Sequence, residues 1–505
     1  MAKPTVRDLL FLFTISLALR LTTAAFISRP GYMDTAYYAA GARLLAQGNG
    51  FAEPFLWHYL DDPASLPHPG FLYWMPLPSI LAAPFAGGSF FVMQLPFAVL
   101  SATLPLVSYH LACKSTGSRR NGWLAGLITL FSGFFFPYWT LPETFAPFAL
   151  LGSLSLWLAG AELGLGGQFL LGLLVGLAHL TRADGVLLLL VAILGLPLLR
   201  RPVLPGAFAI LAGYLVAMAP WFLRNMLTTG SPLSPVGVAT IWLTDYDDLF
   251  CYRCILSPHT YLSWGWANII RSKLWAATLN LERFLAEGCL IFLFPFVPAG
   301  LSRLRRHPPF ALATVYLLII YLVHSFVFTF PGPRGAFFHA SAAALPFFIT
   351  AGVSGIDAAV LWGARKRRWH IGQAQRVFGV AAVVLAILVS FHAATETLPQ
   401  WRKADVAYDR VGQWLAREDV EAVVMVANPP AFWYHTGHPA VVVPNGDVET
   451  MLAVAARYNV RYVLLDDNTP EPLRGLYTGV AMHPRLRRLS ADADKGDGVV
   501  LYAVE

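Results

Sequence analysis

The sequence predicts an all-α polytopic membrane bundle with a small α/β domain at its C-terminal end. Three observations predict it: the composition, the spacing of the apolar runs, and the one-sided placement of positive charge. Of 505 residues, 56% are hydrophobic and only 13% charged, about half the charged share of ordinary soluble chains. In such a chain a formal net charge of +7 concerns where Lys and Arg lie relative to a bilayer, and it is no nucleic-acid signal by itself. Four cysteines exclude a disulfide scaffold.

The elements follow in order. The N-terminus "MAKPTVRDLL" starts with charge, but the apolar run behind it is too long for a signal-peptide core and no small-residue cleavage site follows, so it reads as a retained first span. A crossing takes roughly 20 apolar residues. The candidates are 9–27, 89–112, 122–138, 144–163, 167–181, 185–199, 205–223, 285–302, 309–330, 336–355 and 376–394, about eleven transmembrane helices. The stretch 76–88 is too short and too rich in Pro and Gly to cross, and reads as a surface or re-entrant element.

Basic residues concentrate in cytoplasmic loops. With the N-terminus (Lys3, Arg7) inside, the alternate loops hold Lys114, Arg119 and Arg120; Arg200 and Arg201; Arg303, Arg305 and Arg306; and Arg365, Lys366, Arg367 and Arg368. The opposite loops, 28–75 and 225–283, are long, aromatic and acidic. An odd number of crossings also puts the tail outside. The chain thus divides into a transmembrane domain, 1–395, and a soluble domain, 396–505, whose β-rich runs "EAVVMVA", "AVVVP", "RYVLL" and "GVVLYAV" alternate with helical patterns. At about 110 residues it is large enough to bury a core.

The candidate chemistry starts at "SRPGYMDTAYYAAGARLLAQGNGF" (28–51). Asp34 opens an amphipathic helix closed by Gly48, directly beyond the first span. It serves either as an N-cap or as a general base whose pKa is raised near the bilayer. Glu143 lies where the third span reaches the same side, either as a solvated interface carboxylate or as a second acid. Arg182 and Asp184 form a charged turn there. Arg224 and Arg334 stand at span ends, where a guanidinium grips phosphate oxygens in a fixed fork or snorkels to the interface. His339 follows Arg334 by about one helical turn. In "TDYDDLFCYRC" (244–254), Asp245, Asp247 and Asp248 include a D-x-D spacing that suits a metal or shapes an acceptor cavity. Cys251 and Cys254 have no second pair to complete a zinc site, and outside the cytoplasm they read as a local disulfide.

Several of these segments resemble the GT-C glycosyltransferases, polyprenyl-phosphate-sugar-dependent membrane enzymes that include protein O-mannosyltransferases and lipid A aminoarabinose transferases. The likeness runs through the loop around Asp34 with its "YY" (Tyr37 and Tyr38), "HPGFLYWMPLPSILAAPFAG" (68–87), "LPETFAPFALL" (141–151), "GLAHLTRADGVLLL" (176–189), "PWFLRNMLTTGSPLSP" (220–235) and "GPRGAFFHASAAALPFF" (332–348). It implies a GT-C fold in which Asp34 and Glu143 are catalytic. Arg334, Arg224, His339, His68 and Arg182 would meet the donor phosphate, and Asp245, Asp247 and Tyr37 would line the acceptor or sugar cavity. His68 stands where many relatives carry Lys. The implied partners are a polyprenyl-phosphate sugar lipid, the membrane and an acceptor glycan, lipid or protein, with no nucleic acid. No cofactor is expected; the D-x-D spacing leaves a divalent metal as the lesser alternative to shaping the acceptor cavity. The expected activity is sugar transfer to an acceptor hydroxyl on the extracytoplasmic face of a plasma (inner) membrane, with inversion. The alternative is a transporter or flippase of lipid-linked sugars, which would place its ionisable groups near the midplane.

The expected topology is testable. An impermeant thiol reagent added outside should label a cysteine placed at Thr450 and spare one at Ser118; the reverse pattern overturns the orientation.

Overall fold

The computed structural model describes residues 5–403, 405–418, 421–489 and 498–505. Lys3, counted above among the inner charges, lies outside them. The first part of the chain folds as α1 (Val6–Phe26), α2 (Met33–Ala46), α3 (Leu77–Ala82), α4 (Phe90–Thr116), α5 (Arg119–Phe131), α6 (Phe145–Ala159), α7 (Leu165–Thr181), α8 (Val186–Leu198) and α9 (Val203–Thr229). The long helices beyond these are Trp266–Arg283, Pro308–Leu322, Leu345–Arg367 and Ile371–Lys403. Residues 76–88 form α3 and one 3-10 turn.

Among the described residues, six helices are long and apolar enough to cross a membrane, and three further apolar helices are shorter. Two of the eleven expected crossings are not continuous helices, for identifiable backbone reasons. The 122–138 stretch leaves the α-helix at Phe131, where Ser132 and Gly133 take φ of 55° and 59° and a 3-10 segment follows. The 285–302 stretch begins as a π turn, Phe284–Gly288, and resumes as a helix only at Val297. Between them Leu290 and Ile291 take positive φ, and Pro295 has no amide hydrogen to offer.

The two ends of the bundle differ in charge. At one end Asp8 at the start of α1 meets Arg119 in a forked pair, at 2.6 and 2.5 Å. There Arg120 and Asn121 also hold Asp357 of the Leu345–Arg367 helix. At the other end the loops 28–75 and 225–283 meet the tail. Tyr59 N donates to Leu249 O at 2.9 Å and Asn445 N to Phe250 O at 2.8 Å. The first loop and the tail therefore meet at one end of the bundle.

In the tail, helices alternate with β4 (Val423–Val426), β5 (Ala440–Val442), β6 (Val460–Leu465), β7 (Leu486–Arg488) and β8 (Val500–Val504). The first loop supplies β1 (Ala52–Glu53), β2 (Phe55–Leu56) and β3 (His68–Pro69). One six-stranded sheet runs β2-β5-β4-β6-β8-β7, parallel from β2 to β6 and antiparallel beyond. The four β-rich runs read from the tail became β4, β5, β6 and β8. The edge strand β2 was not foreseen, and it alters the expectation of a self-contained domain: the sheet is completed by a strand from the membrane part. One hydrophobic cluster also runs without a break from bundle residues such as Phe97 and Phe148 to Val424, Val426 and Phe432 in the tail.

Helix contacts in the bundle use small residues, as expected where lipid offers no hydrophobic drive between helices. At the crossing of α7 and α9, a Cβ on Gly172 would lie 1.9 Å from Ile210 O, and one on Gly213 2.0 Å from Phe169 O. Gly172→Ala should therefore cost ~1–3 kcal/mol by overpacking and lower the unfolding temperature in detergent. Gly166→Ala on the same helix, with nothing within 4 Å, should leave it unchanged. Equal behaviour of the two variants would show that the crossing relaxes freely.

Candidate active site

The site lies where α2, the α5–α6 connection and the segment before the Leu345–Arg367 helix converge. After α1 the chain turns through Gly31, at φ 82°, where a Cβ would come within 2.5 Å of Trp401. The N-cap of α2 is Tyr32, which makes no side-chain cap bond, and Asp34 falls in the first turn. The capping reading of Asp34 is thus replaced: its side chain, 33% exposed, faces His339, with Oδ2 3.9 Å from Nε2. Desolvation pushes the Asp34 carboxyl up to about 6, opposed by the field of Arg182.

Glu143 is fully buried, in contrast to the solvated interface carboxylate that the sequence allowed. Its Oε2 is 4.0 Å from His339 Nδ1, and neither of its oxygens has a hydrogen-bond partner among the described residues. Burial, and then the charge of Asp34, raise its carboxyl well above the ordinary range. The His339 ring is fixed on two sides. Thr144 Oγ1 lies 2.8 Å from Nδ1, and the Phe145 ring stacks on it at 3.8 Å.

Beside this trio, Arg182 forks onto Asp184, with Nε to Oδ1 3.0 Å and Nη2 to Oδ2 2.7 Å. Arg182 Nη2 also donates to Ala336 O at 3.2 Å, and His324 Nε2 lies 3.1 Å from Asp184 Oδ2. Arg182 is therefore held as a fixed charge close to Asp34, while Asp184 absorbs its hydrogen bonds. Arg334 is exposed. Among the described residues it makes no hydrogen bond or ion pair, and its guanidinium rests 5.0 Å from the centre of the Tyr246 ring. Gly335, at φ 138°, breaks the chain immediately after it, in a conformation that side chains resist. Tyr246 lies in the fields of both Asp34 and Arg334, so the 244–254 loop roofs the site.

The structure brings together Asp34, Glu143, His339 and Arg182, with Arg334 at the rim. It separates the others. Arg224 donates to Gly70 O at 2.6 Å and to Phe51 O at 3.4 Å, and covers Trp221, so its fork is spent on the first loop's backbone. His68 is buried in that loop, Nε2 3.0 Å from Phe55 O. Tyr37 is 1% exposed and donates to Glu53 Oε1 at 2.5 Å, a packing role in place of a cavity wall. Asp245 and Asp248 form a capping box for the turn Tyr246–Phe250, which engages Asp245, one of the two carboxylates of the D-x-D. Asp247 alone keeps a charge toward Arg334. Cys251 and Cys254 are joined as expected.

A better cation site than the D-x-D is the trio itself. Donor atoms of Asp34, Glu143 and His339 all lie within 4.8 Å of one another, and the orphaned Glu143 oxygens fit a divalent cation by donor type. Sequence reading missed Thr144, His324 and the Arg283–Glu287 pair, 3.1 Å apart on the π turn. Tyr138 lies in the fields of Glu143, Glu287 and Asp34 together. No local motif marks these positions, since they reach the site only through the fold.

At the level of sequence, no family model and no curated protein matches the chain. Solved structures do match in fold. ArnT from Cupriavidus metallidurans, bound to undecaprenyl phosphate, superposes with a TM-score of 0.57 at 14% identity, over 99% of this chain and 98% of that one. The archaeal oligosaccharyltransferase AglB from Archaeoglobus fulgidus, in complex with an inhibitory peptide and a dolichol-phosphate, gives 0.57 at 12% identity, over 90% of this chain and 69% of that one. The arabinofuranosyltransferase AftD from Mycobacteria gives 0.51 at 15% identity, over all of this chain and 40% of that one. These structural neighbours are GT-C glycosyltransferases, and at such identities the likeness is one of fold.

Proposed function

We propose that this chain is an integral membrane glycosyltransferase. It moves a sugar from a polyprenyl-phosphate-linked donor to an acceptor hydroxyl on the extracytoplasmic face, with Asp34 as general base. The observation that carries the reading is the placement of Asp34: a partly open carboxylate with a raised pKa, beside Glu143, His339 and Arg182, in a fold shared with lipid-phosphate-bound enzymes. The same reading takes the chain as crossing a plasma membrane about eleven times, N-terminus inside, with 1–395 as membrane domain and 396–505 as extracytoplasmic domain. The meeting of first loop and tail at one end of the bundle supports placing both on one side.

In this mechanism Asp34 accepts the acceptor hydroxyl proton as that oxygen attacks the anomeric carbon. The bond from that carbon to the phosphate oxygen breaks, and the lipid phosphate departs with the electron pair. Arg334, which makes no hydrogen bond or ion pair among the described residues, receives the phosphate charge, and Arg182 adds a fixed positive field. Glu143, its proton retained by burial, positions groups as a donor without repelling Asp34. One base with no second nucleophile favours inversion.

A second reading is favoured by the orphaned oxygens of Glu143. Asp34, Glu143 and His339 would hold a divalent cation, which when bound would offset charge on the donor phosphate. Under the base reading, turnover persists in chelator; abolition by chelator and rescue by added divalent cation would replace it with the cation reading.

Asp34→Asn should fold and bind donor normally while losing ~10²–10⁴-fold in turnover. Because a base works only when ionised, wild-type turnover should fall as pH drops through about 6. Near-normal turnover in the Asn variant removes Asp34 from the chemistry. Arg334→Ala should weaken donor binding by ~1.5–3 kcal/mol, and Arg334→Lys should recover only part of it, because the fork is lost. Isothermal titration with a short-chain polyprenyl phosphate measures both, and unchanged affinity in the alanine variant excludes the contact.

A further inference from the structure

Between the base and the rim arginine runs a row of tyrosines to which the proposed reaction gives no part. Tyr38 follows Asp34 by four residues on α2, so the two share a helix face. The Tyr38 ring lies 6.0 Å from that of Trp74, and the Trp74 ring lies 5.7 Å from that of Tyr73. Tyr73 and Tyr246 pack on one small buried cluster, Leu243, Leu249 and Phe330. The Tyr246 ring centre is 5.0 Å from the Arg334 guanidinium. The row thus leads from Asp34 to Arg334. The charge of Asp34 acts on all three phenols, and that of Arg334 on Tyr246. None of the three hydroxyls makes a hydrogen bond among the described residues, and none is closed off, although Tyr38 is only 1% exposed. Tyr37 differs, since its hydroxyl is spent on Glu53.

We propose that Tyr38, Tyr73 and Tyr246 hold the sugar of the lipid-linked donor, a hexose or pentose read through its free hydroxyls. The proposal rests on the transferase reading and assigns the part of the donor that reading leaves open. In a displacement at the anomeric carbon, the acceptor oxygen approaches on one side and the phosphate oxygen departs on the other. With the base at Asp34 and the phosphate at Arg334, the sugar ring lies between them. Side chains that span this interval therefore meet the donor sugar, and neither the acceptor nor the lipid tail. Phenols suit the task. Each hydroxyl both donates and accepts, which matches a sugar hydroxyl in either sense, and each ring offers an apolar face to the sugar's C–H groups. Trp74, stacked on Trp57 at 4.4 Å, stiffens the wall between Tyr38 and Tyr73. The three tyrosines offer no counter-charge, and the Asp34 charge that reaches them opposes a uronate.

The test is isothermal titration of the full-length protein in detergent, without acceptor. It compares a short-chain polyprenyl phosphate methyl ester, which matches the donor's charge but has no sugar, with the same lipid phosphate carrying mannose, glucose or arabinofuranose. At least one sugar lipid is expected to bind more tightly than the methyl ester. Tyr38→Phe, Tyr73→Phe and Tyr246→Phe should each weaken that sugar lipid by about 2–10-fold, the worth of one neutral hydrogen bond. Their affinity for the methyl ester and their unfolding temperature should not change, whereas Arg334→Ala should weaken both lipids alike. If the methyl ester binds but no sugar adds affinity, or if all three phenylalanine variants keep full affinity for the sugar lipid, the sugar contact is overturned and the donor phosphate reading stands. An equal loss for the methyl ester in the phenylalanine variants also overturns it, and assigns the tyrosines to the phosphate or to packing. Binding of neither lipid by the wild type overturns the transferase reading itself, and the sugar contact with it.

Discussion

Two residues of the first loop, Phe55 and Leu56, pair in parallel with Ala440 and Val441 near the far end of the chain, and most of the site's geometry hangs on that pairing. The same loop begins with α2, which carries Asp34, and is tied back by Tyr37 to Glu53, one residue before Pro54 and the strand. Tyr59 adds a hydrogen bond to the Val442 carbonyl, and Arg43 donates to Tyr434 O at 2.5 Å and covers its ring. The tail is therefore a splint across the loop end of the bundle. Backbone hydrogen bonds removed from water are costly to leave unmade, so strand pairing fixes both partners together.

Within that frame, the electrostatics divide the acids by burial. Asp34 keeps a third of its side chain open, and desolvation raises its carboxyl to about 6. Glu143, shut away entirely, is raised well above the ordinary carboxylate range by burial and has no hydrogen-bond partner among the described residues. Two carboxylates near one imidazole would repel if both were ionised, and the difference in burial lets one charge while the other keeps its proton. The cations divide in the same way. Arg182 is paired with Asp184 and acts through its field, whereas Arg334, among the described residues, makes no ion pair and rests beside the Tyr246 ring.

Much was legible in the sequence because bilayers impose simple rules. The long apolar runs became helices, with 9–27 close to Val6–Phe26 and 376–394 lying inside the longer Ile371–Lys403. The strands "EAVVMVA" and "RYVLL" were visible because β-branched residues crowd into short runs. The broken segments were not legible, since the positive φ of Ser132, Leu290 and Ile291 falls on residues with no preference for it and is imposed by packing. A two-residue strand such as β2 carries no periodicity at all.

The same division holds in the site. The sequence by itself determined the bundle, the sidedness of its charge, and the nomination of Asp34, Glu143, His339 and Arg334, because composition and the placement of charge beside apolar runs are local properties. Only the tertiary structure decided which of the nominated groups meet. It spent Arg224 on the Gly70 carbonyl, turned His68 inward to Asp61, used Asp245 as a cap, and set His339 between Asp34 and Glu143. A side chain's role depends on which donors and acceptors surround it once water is excluded, and those neighbours come from segments far apart in the chain.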